Sequence, residues 1–211
     1  MTETAPKRTY GGRSVEQRRA DRRRRLIDAG LELFGTVGFA ATSVARLANV
    51  AGLSTRQFYE EFTDREALLL AVYDTVQTDA ADALQATLRD HPDEGYVSRL
   101  PRLLRVYLGS TTSDLRRARV AYVEIIGVSR AVEQHRIGTR RQWSDFILDT
   151  LTEAADRGEI ERREFSLSTA AFIGAVNGMM QDWTVIEPRP PIDAVVEEMT
   201  RMVLHGLVDL R

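Results

Sequence analysis

The chain has no cysteine, a single lysine (Lys7) and only 3 histidines in 211 residues. Without cysteine there is no disulfide framework and no thiolate-ligated metal, a composition that suits a reducing cytoplasm. Long apolar runs are missing too. The longest, Leu68 to Tyr73, falls far short of the roughly 20 residues that span a bilayer. The arginine-rich N-terminus lacks the apolar segment that directs secretion. A soluble cytoplasmic protein, not attached to a membrane, is expected. Chemistry is equally scarce. His91, His135 and His205 are isolated, no H-E-x-x-H or phosphate-cradling glycine loop occurs, and Gly35-x-x-Gly38 reads as a helix end. These absences argue against an enzyme and against any bound metal or cofactor.

What is present is enough apolar material for a sizeable core, 43% of the residues, and an uneven charge. The net charge of −2 conceals a basic end: residues 1–65 hold 12 Arg and Lys against 8 Asp and Glu, and the remainder holds 17 against 23. A local basic patch can hold a polyanion by counterion release while an acidic remainder keeps the protein soluble.

The basic end contains the most organised stretch, Thr42 to Arg65. Thr42 is placed to cap a short helix with Val44, Leu47 and Ala48 on one side, and Gly52 can take the positive φ of a tight turn. Ser54 and Gln57 have the S-x-x-Q spacing of a capping box. Phe58 and Phe62, four apart, anchor a second helix by one face. The opposite face carries Thr55, Arg56, Gln57 and Tyr59, which can reach base edges or phosphates if that helix enters a major groove of double-stranded DNA.

In chain order, residues 1–15 read as a polar, disordered arm, and Lys7, Arg8 and Arg13 make it either a phosphate or minor-groove contact or an ordinary frayed terminus. From Glu16 a helix runs to Gly38, cationic first and then apolar through Leu26, Ile27, Leu33, Phe34 and Val37. Asp64 caps a helix reaching about Arg89, long enough to join a head to a body. Further helices are expected from Val97 to Gly109, Asp114 to Gly127, Ser129 to Arg157, Ser166 or Ser168 onward, and Ile192 to Leu207. Nothing reads as a strand. The expected fold is all-α, with nine helices in two domains: a three-helix helix-turn-helix head over 16–65 and a helical effector-binding and dimerisation body over 66–211.

A basic first helix, then G-F-x-x-T-S-V, A-x-x-A-G-L-S, F-Y-x-x-F and D-R-E-A-L, resembles the DNA-binding domain of the TetR family of bacterial transcriptional regulators. The resemblance spans roughly residues 20–70. It implies an all-helical homodimer whose C-terminal domain binds a small molecule. It also implies that Thr42 caps the second helix while touching phosphate, that Thr55, Arg56 and Gln57 face bases, and that Tyr59 and Arg65 hold phosphates. Glu61, preceded by Glu60, departs from the pattern. Either its carboxylate repels the DNA backbone and holds that helix end away, or it is tied to an arginine of the first helix such as Arg22 or Arg25.

In the body, Tyr107, Tyr122, Trp143, Phe146, Phe172, Asn177, Met179 and Trp183 fall on helices that would surround a pocket for a largely hydrophobic effector. Glu124, set in the apolar run AYVEIIGV, either pairs with Arg119 or Arg140 or faces that cavity. Gly174 and Gly178 permit close helix approach, and the last helix has a Met- and Val-rich face, so the last two helices are expected to form a homodimer. The functional expectation is a ligand-responsive repressor of a palindromic operator. The competing one is an architectural or nucleoid-associated DNA-binding dimer without effector control.

Overall fold

A computed structural model of the chain describes residues 14–205. Lys7, Arg8 and Arg13 of the expected arm, and Leu207 at the expected end of the last helix, lie outside the described residues. Among the described residues there are nine α-helices and no strand.

Helix α1 (Val15–Thr36) opens with a reciprocal cap in which Ser14 and Gln17 each accept the other's backbone N–H. It buries Leu26, Leu33 and Phe34 and gives way to Gly38 at φ +92°. Helices α2 (Val44–Val50) and α3 (Thr55–Glu61) are joined through Gly52 at φ +63°, a conformation in which a side chain is strained. The capping box of Ser54 and Gln57 opens α3 as its spacing requires. The cap of α2 is Ser43 rather than Thr42. Ser43 Oγ accepts from the Arg46 N–H at 3.2 Å, while Thr42 faces inward, is buried and donates its hydroxyl to the Gly38 carbonyl at 2.7 Å.

Asp64 caps α4 (Arg65–Asp90), about 39 Å long at the usual rise. Helix α5 (Tyr96–Thr112) packs back along it. The helix expected from Asp114 to Gly127 is divided: α6 (Leu115–Arg119) passes into a π-helical turn, Val120–Glu124. The wider turn places successive side chains on different sides. Val120 and Ile125 enter one core, and Tyr122 enters the other. Helix α7 (Arg130–Asp156) is capped by Ser129, and α8 (Ser166–Val185) and α9 (Ile192–His205) complete the body.

Two apolar cores result. The first unites α1, α2 and α3 with Leu68, Leu69 and Val72 of α4 and with Val120, Ile125 and Val132. The second gathers Val76, Leu104, Leu108, Tyr122, Met180 and Met199. Their boundary crosses α4 between Tyr73 and Val76, so one rigid helix belongs to both. Part of the Met- and Val-rich face of α9 is covered within the monomer, where Val195, Val196 and Met199 are buried along α5, while Val203 is exposed. Helix α8, by contrast, leaves Leu167 and Val185 exposed, and open space faces Gly174 and Gly178.

A close backbone approach joins α1 to α6. A Cβ built on Gly35 would stand 2.6 Å from the Arg116 Cα. Gly35→Ala is therefore expected to destabilise by about 1–3 kcal/mol through overpacking, whereas Gly109→Ala, with nothing within 4 Å of its built Cβ, should stabilise by roughly 0.5–1 kcal/mol. Thermal melting of both variants checks the contrast. A neutral Gly35→Ala would show that α1 and α6 can separate without loss.

Candidate nucleic-acid interface and effector cavity

The capping box fixes which side chains of α3 leave the surface. Phe58 is fully buried and Phe62 nearly so, which turns Thr55, Arg56 and Tyr59 outward. The Arg56 side chain is 91% exposed and tethered only by Glu60 one turn on, at 3.4 Å. Tyr59 lies edge-on to the Phe58 ring and is exposed. Gln57 is half-buried, and its Oε1 accepts from the Ser54 N–H at 2.9 Å, so only its NH2 faces away from the cap.

Arg65 and Thr42 both make bonds within the head. The Arg65 guanidinium donates to the carbonyls of Phe39 and Thr42 and lies 4.9 Å from the centre of the Phe39 ring. It ties the start of α4 to the turn before α2. With Thr42 buried, the exposed hydroxyl at the head of α2 is that of Ser43.

The arginines of α1 form an internal brace as much as a cationic face. Arg22 chelates the Glu61 carboxylate through Nε and Nη2 at 3.0 and 2.7 Å, and Arg19 adds a contact at 3.3 Å. Arg23 donates to the Glu61 carbonyl and covers the Phe62 ring, and Arg25 donates to the Gly52 carbonyl at 2.9 Å. Glu61 has a side chain only 1% exposed, so it points into this brace and not toward a backbone. The arginine-tied alternative holds, with Arg22 and not Arg25 as the main partner. The geometry does not favour the repulsive alternative, since the carboxylate is already paired.

Glu124 joins head to body. Its Oε2 accepts the Phe39 N–H at 2.8 Å, and its Oε1 takes Arg119 Nη2 at 3.0 Å. Arg119 also donates to the Thr36 carbonyl, and Arg116 pairs with Glu32. Its partner is therefore Arg119, not Arg140, and the carboxylate faces the head rather than a cavity. Below this joint, on the other side of the π-helical turn, a cavity of about 850 Å³ opens between α4, α5, α7 and α8. Tyr107, Tyr122, Trp143, Phe146, Phe172 and Asn177 line it as expected.

Met179 and Trp183 do not line it. Asn177 is the last residue of α8 on the wall, and Trp183 instead donates to the Pro190 carbonyl at 2.9 Å under the Arg189 guanidinium. Sequence reasoning missed Tyr73 and Gln77, which sit four apart on α4, together with Tyr96, Arg140 and Thr169. The four-residue spacing on α4 was legible, but an inward stripe looks the same whether it meets a core or a void. Burial raises the Tyr73 and Tyr107 hydroxyls well above their ordinary range and pushes Tyr122 up to about 12. These groups are neutral hydrogen-bonding partners at physiological pH. The Thr169 hydroxyl is buried on the wall without a partner.

A three-helix head presenting one exposed helix, on an all-helical body with a large apolar cavity, defines a helix-turn-helix regulator. Residues 26–72 match the model of bacterial regulatory proteins of the tetR family, and residues 93–207 match that of the tetracyclin repressor-like C-terminal domain. The chain belongs to the TetR family of DNA-binding transcriptional regulators, which are not enzymes. It is 24% identical over 210 residues to the HTH-type transcriptional regulator EthR of Mycolicibacterium smegmatis, covering 98% of this chain and 96% of that protein. The fold is similar to that of FadR from Bacillus subtilis in complex with stearoyl-CoA, with a TM-score of 0.77 and 16% identity over 88% of this chain and 99% of that one. It is also similar to AibR in complex with isovaleryl coenzyme A and operator DNA, with a TM-score of 0.66 and 17% identity over 86% and 97% of the two chains.

The brace around Glu61 gives a direct test. Glu61→Gln removes a buried carboxylate from two guanidinium groups and is expected to cost about 1–3 kcal/mol of stability, with DNA affinity unchanged or weakened. A melting curve and binding at two salt concentrations check this. Tighter binding that fades with salt would reinstate repulsion.

Proposed function

We propose that the protein is an effector-controlled repressor acting in the cytoplasm, dimeric on a palindromic operator and released when an apolar ligand fills the body cavity. The observation that carries this reading is the π-helical turn Val120–Glu124. Ala121 and Tyr122 line the cavity, Val120 is buried in the head's core, and Glu124 holds the Phe39 N–H. Five consecutive residues thus touch both the ligand space and the reading head. A ligand pressing on Tyr122 moves the turn, and through Glu124 and α4 it changes the spacing of two heads. Ligand releases DNA only by preferring the conformation that does not bind DNA, and DNA then weakens ligand binding by the same factor.

In this reading Thr55 and Arg56 meet bases, Tyr59 and Ser43 meet phosphates, and Gln57 contributes through its NH2. Arg65 and Thr42 shape the head from within. The division into head and body at residue 65 is a functional one, since α4 shares both cores. The dimer forms chiefly through α8, whose Gly174 and Gly178 leave room for a second helix, with α9 alongside. A cavity of about 850 Å³ is at the upper end of small-molecule sites. The acyl-coenzyme A ligands in the FadR and AibR structures support a ligand with an extended apolar part, and such thioesters are the first probes to try. An architectural DNA-binding dimer would gain no thermal stability from any of them.

Selection of bound fragments from genomic DNA tests the head and the dimer together. The expected product is a palindrome with half-sites about one helical turn apart. Arg56→Ala should then cost ~1–3 kcal/mol per half-site and relax one base pair. Equal losses on the selected site and on random DNA would remove Arg56 from base reading.

The joint has its own test. Glu124→Ala should leave operator binding within a few fold of wild type, yet blunt ligand-induced release. Titrating DNA-bound protein with the stabilising thioester measures this. Undiminished release would show that the signal bypasses the π-helical turn.

A further inference from the structure

Most arginines of the body are visibly neutralised. Arg102 meets Glu94, Arg105 meets Asp193, Arg117 meets Asp79, and Arg136 meets Glu133. Arg163, on the cavity rim, donates to Ser168 Oγ at 3.1 Å and lies over the Phe165 ring. Arg140 differs. It is half-buried and lines the cavity, and among the described residues no carboxylate, hydroxyl or carbonyl bonds it. Glu133 feels its field, but that carboxylate is chelated by Arg136 through two contacts. A guanidinium on an apolar wall with no counter-charge of its own is placed to meet an anion that enters the cavity.

The remaining geometry describes what surrounds that anion. Arg140 begins a stripe of α7 that continues through Trp143, Ile147 and Leu151 along the cavity wall. The stripe is about 16 Å long at the helical rise. At the Arg140 end Gln77 is bonded to Trp143 through its Oε1, at 2.9 Å, which leaves its NH2 as a donor. Glu161, the carboxylate on the wall, belongs to the segment after α7, as does Arg163, two residues further along the chain. Glu161 thus shares its segment with a cation, whereas the stripe that Arg140 begins carries no carboxylate and is apolar beyond it.

We infer that the effector is an anionic amphiphile, an extended apolar tail carrying a carboxylate or phosphate group, and that Arg140 is the residue that reads its charge. This rests on the cavity being the effector site. A charge-assisted hydrogen bond to Arg140 in a poorly solvated cavity separates anion from neutral analogue by about tenfold or more.

The test uses four probes of one chain length, dodecanoate, dodecyl phosphate, dodecanol and dodecylamine, each below its micellar concentration. Binding is followed by tryptophan fluorescence, with Trp143 on the cavity wall, and by calorimetry. Wild type should bind both anions at least about tenfold more tightly than the alcohol, and the amine least well. Dodecanoate against dodecyl phosphate tells which anion the site prefers. In Arg140→Met and Arg140→Gln the advantage of the anions should vanish while dodecanol affinity stays within a few fold. The ligand-free melting temperature should hold or rise, because no protein partner is lost. Equal binding of all four probes by wild type, preference for the amine, or anion discrimination that survives in both variants would overturn the assignment of Arg140 and leave the cavity reading standing. If no probe bound wild type, the cavity reading would fall, and the inference with it.

Discussion

The Glu124 carboxylate is the polar contact that links the two halves where α1 meets the π-helical turn. Its side chain is 13% exposed, and one oxygen faces the Phe39 N–H while the other faces Arg119, which itself reaches the Thr36 carbonyl. The end of α1 has unsatisfied carbonyls, and the turn after it has an unsatisfied N–H. One ion pair from the body satisfies both. The backbone contact of Gly35 with Arg116 brings the surfaces close enough for this to occur. Head and body are thereby coupled by fixed hydrogen bonds in addition to the shared helix α4.

The head shows how a basic surface can be mostly architecture. Arg19, Arg22, Arg23 and Arg25 hold the turn of Gly52 and the end of α3 in place. Glu61 is the counter-charge that allows several guanidinium groups to converge there. The outward face of α3 keeps its orientation because Phe58 and Phe62 are buried on one side and this brace closes the other. Arg56 is left as the exposed cation of the recognition helix.

The body encloses space where α4, α5, α7 and α8 diverge, and the groups on its wall are unequal in kind. The tyrosines are neutral, and Tyr122 is bonded to Thr111 at 2.9 Å. Among the described residues Thr169 and Arg140 have no such partner. The wall therefore combines an apolar length with a few polar groups, the arrangement usual in small-molecule sites.

Helix content, caps and turns were legible from residues alone because they depend on neighbours within four positions. Ser54 with Gln57, Gly52 and Asp64 mark boundaries that the fold keeps. Family membership was legible for the same reason, since the recurring spacings of the head are local. The sequence also narrowed Glu61 and Glu124 to a few partners. The choice of Arg22 for Glu61 and Arg119 for Glu124 came from the packing of α1 against α3 and α6. The tertiary structure alone decided that Ser43 caps α2, that Arg65 turns inward, that α6 widens into a π-helical turn, and that Met179 and Trp183 lie off the cavity wall. The physical reason is that burial and long-range hydrogen bonding are properties of surfaces brought together from distant parts of the chain. A stripe of residues at helical spacing carries no mark of what will face it.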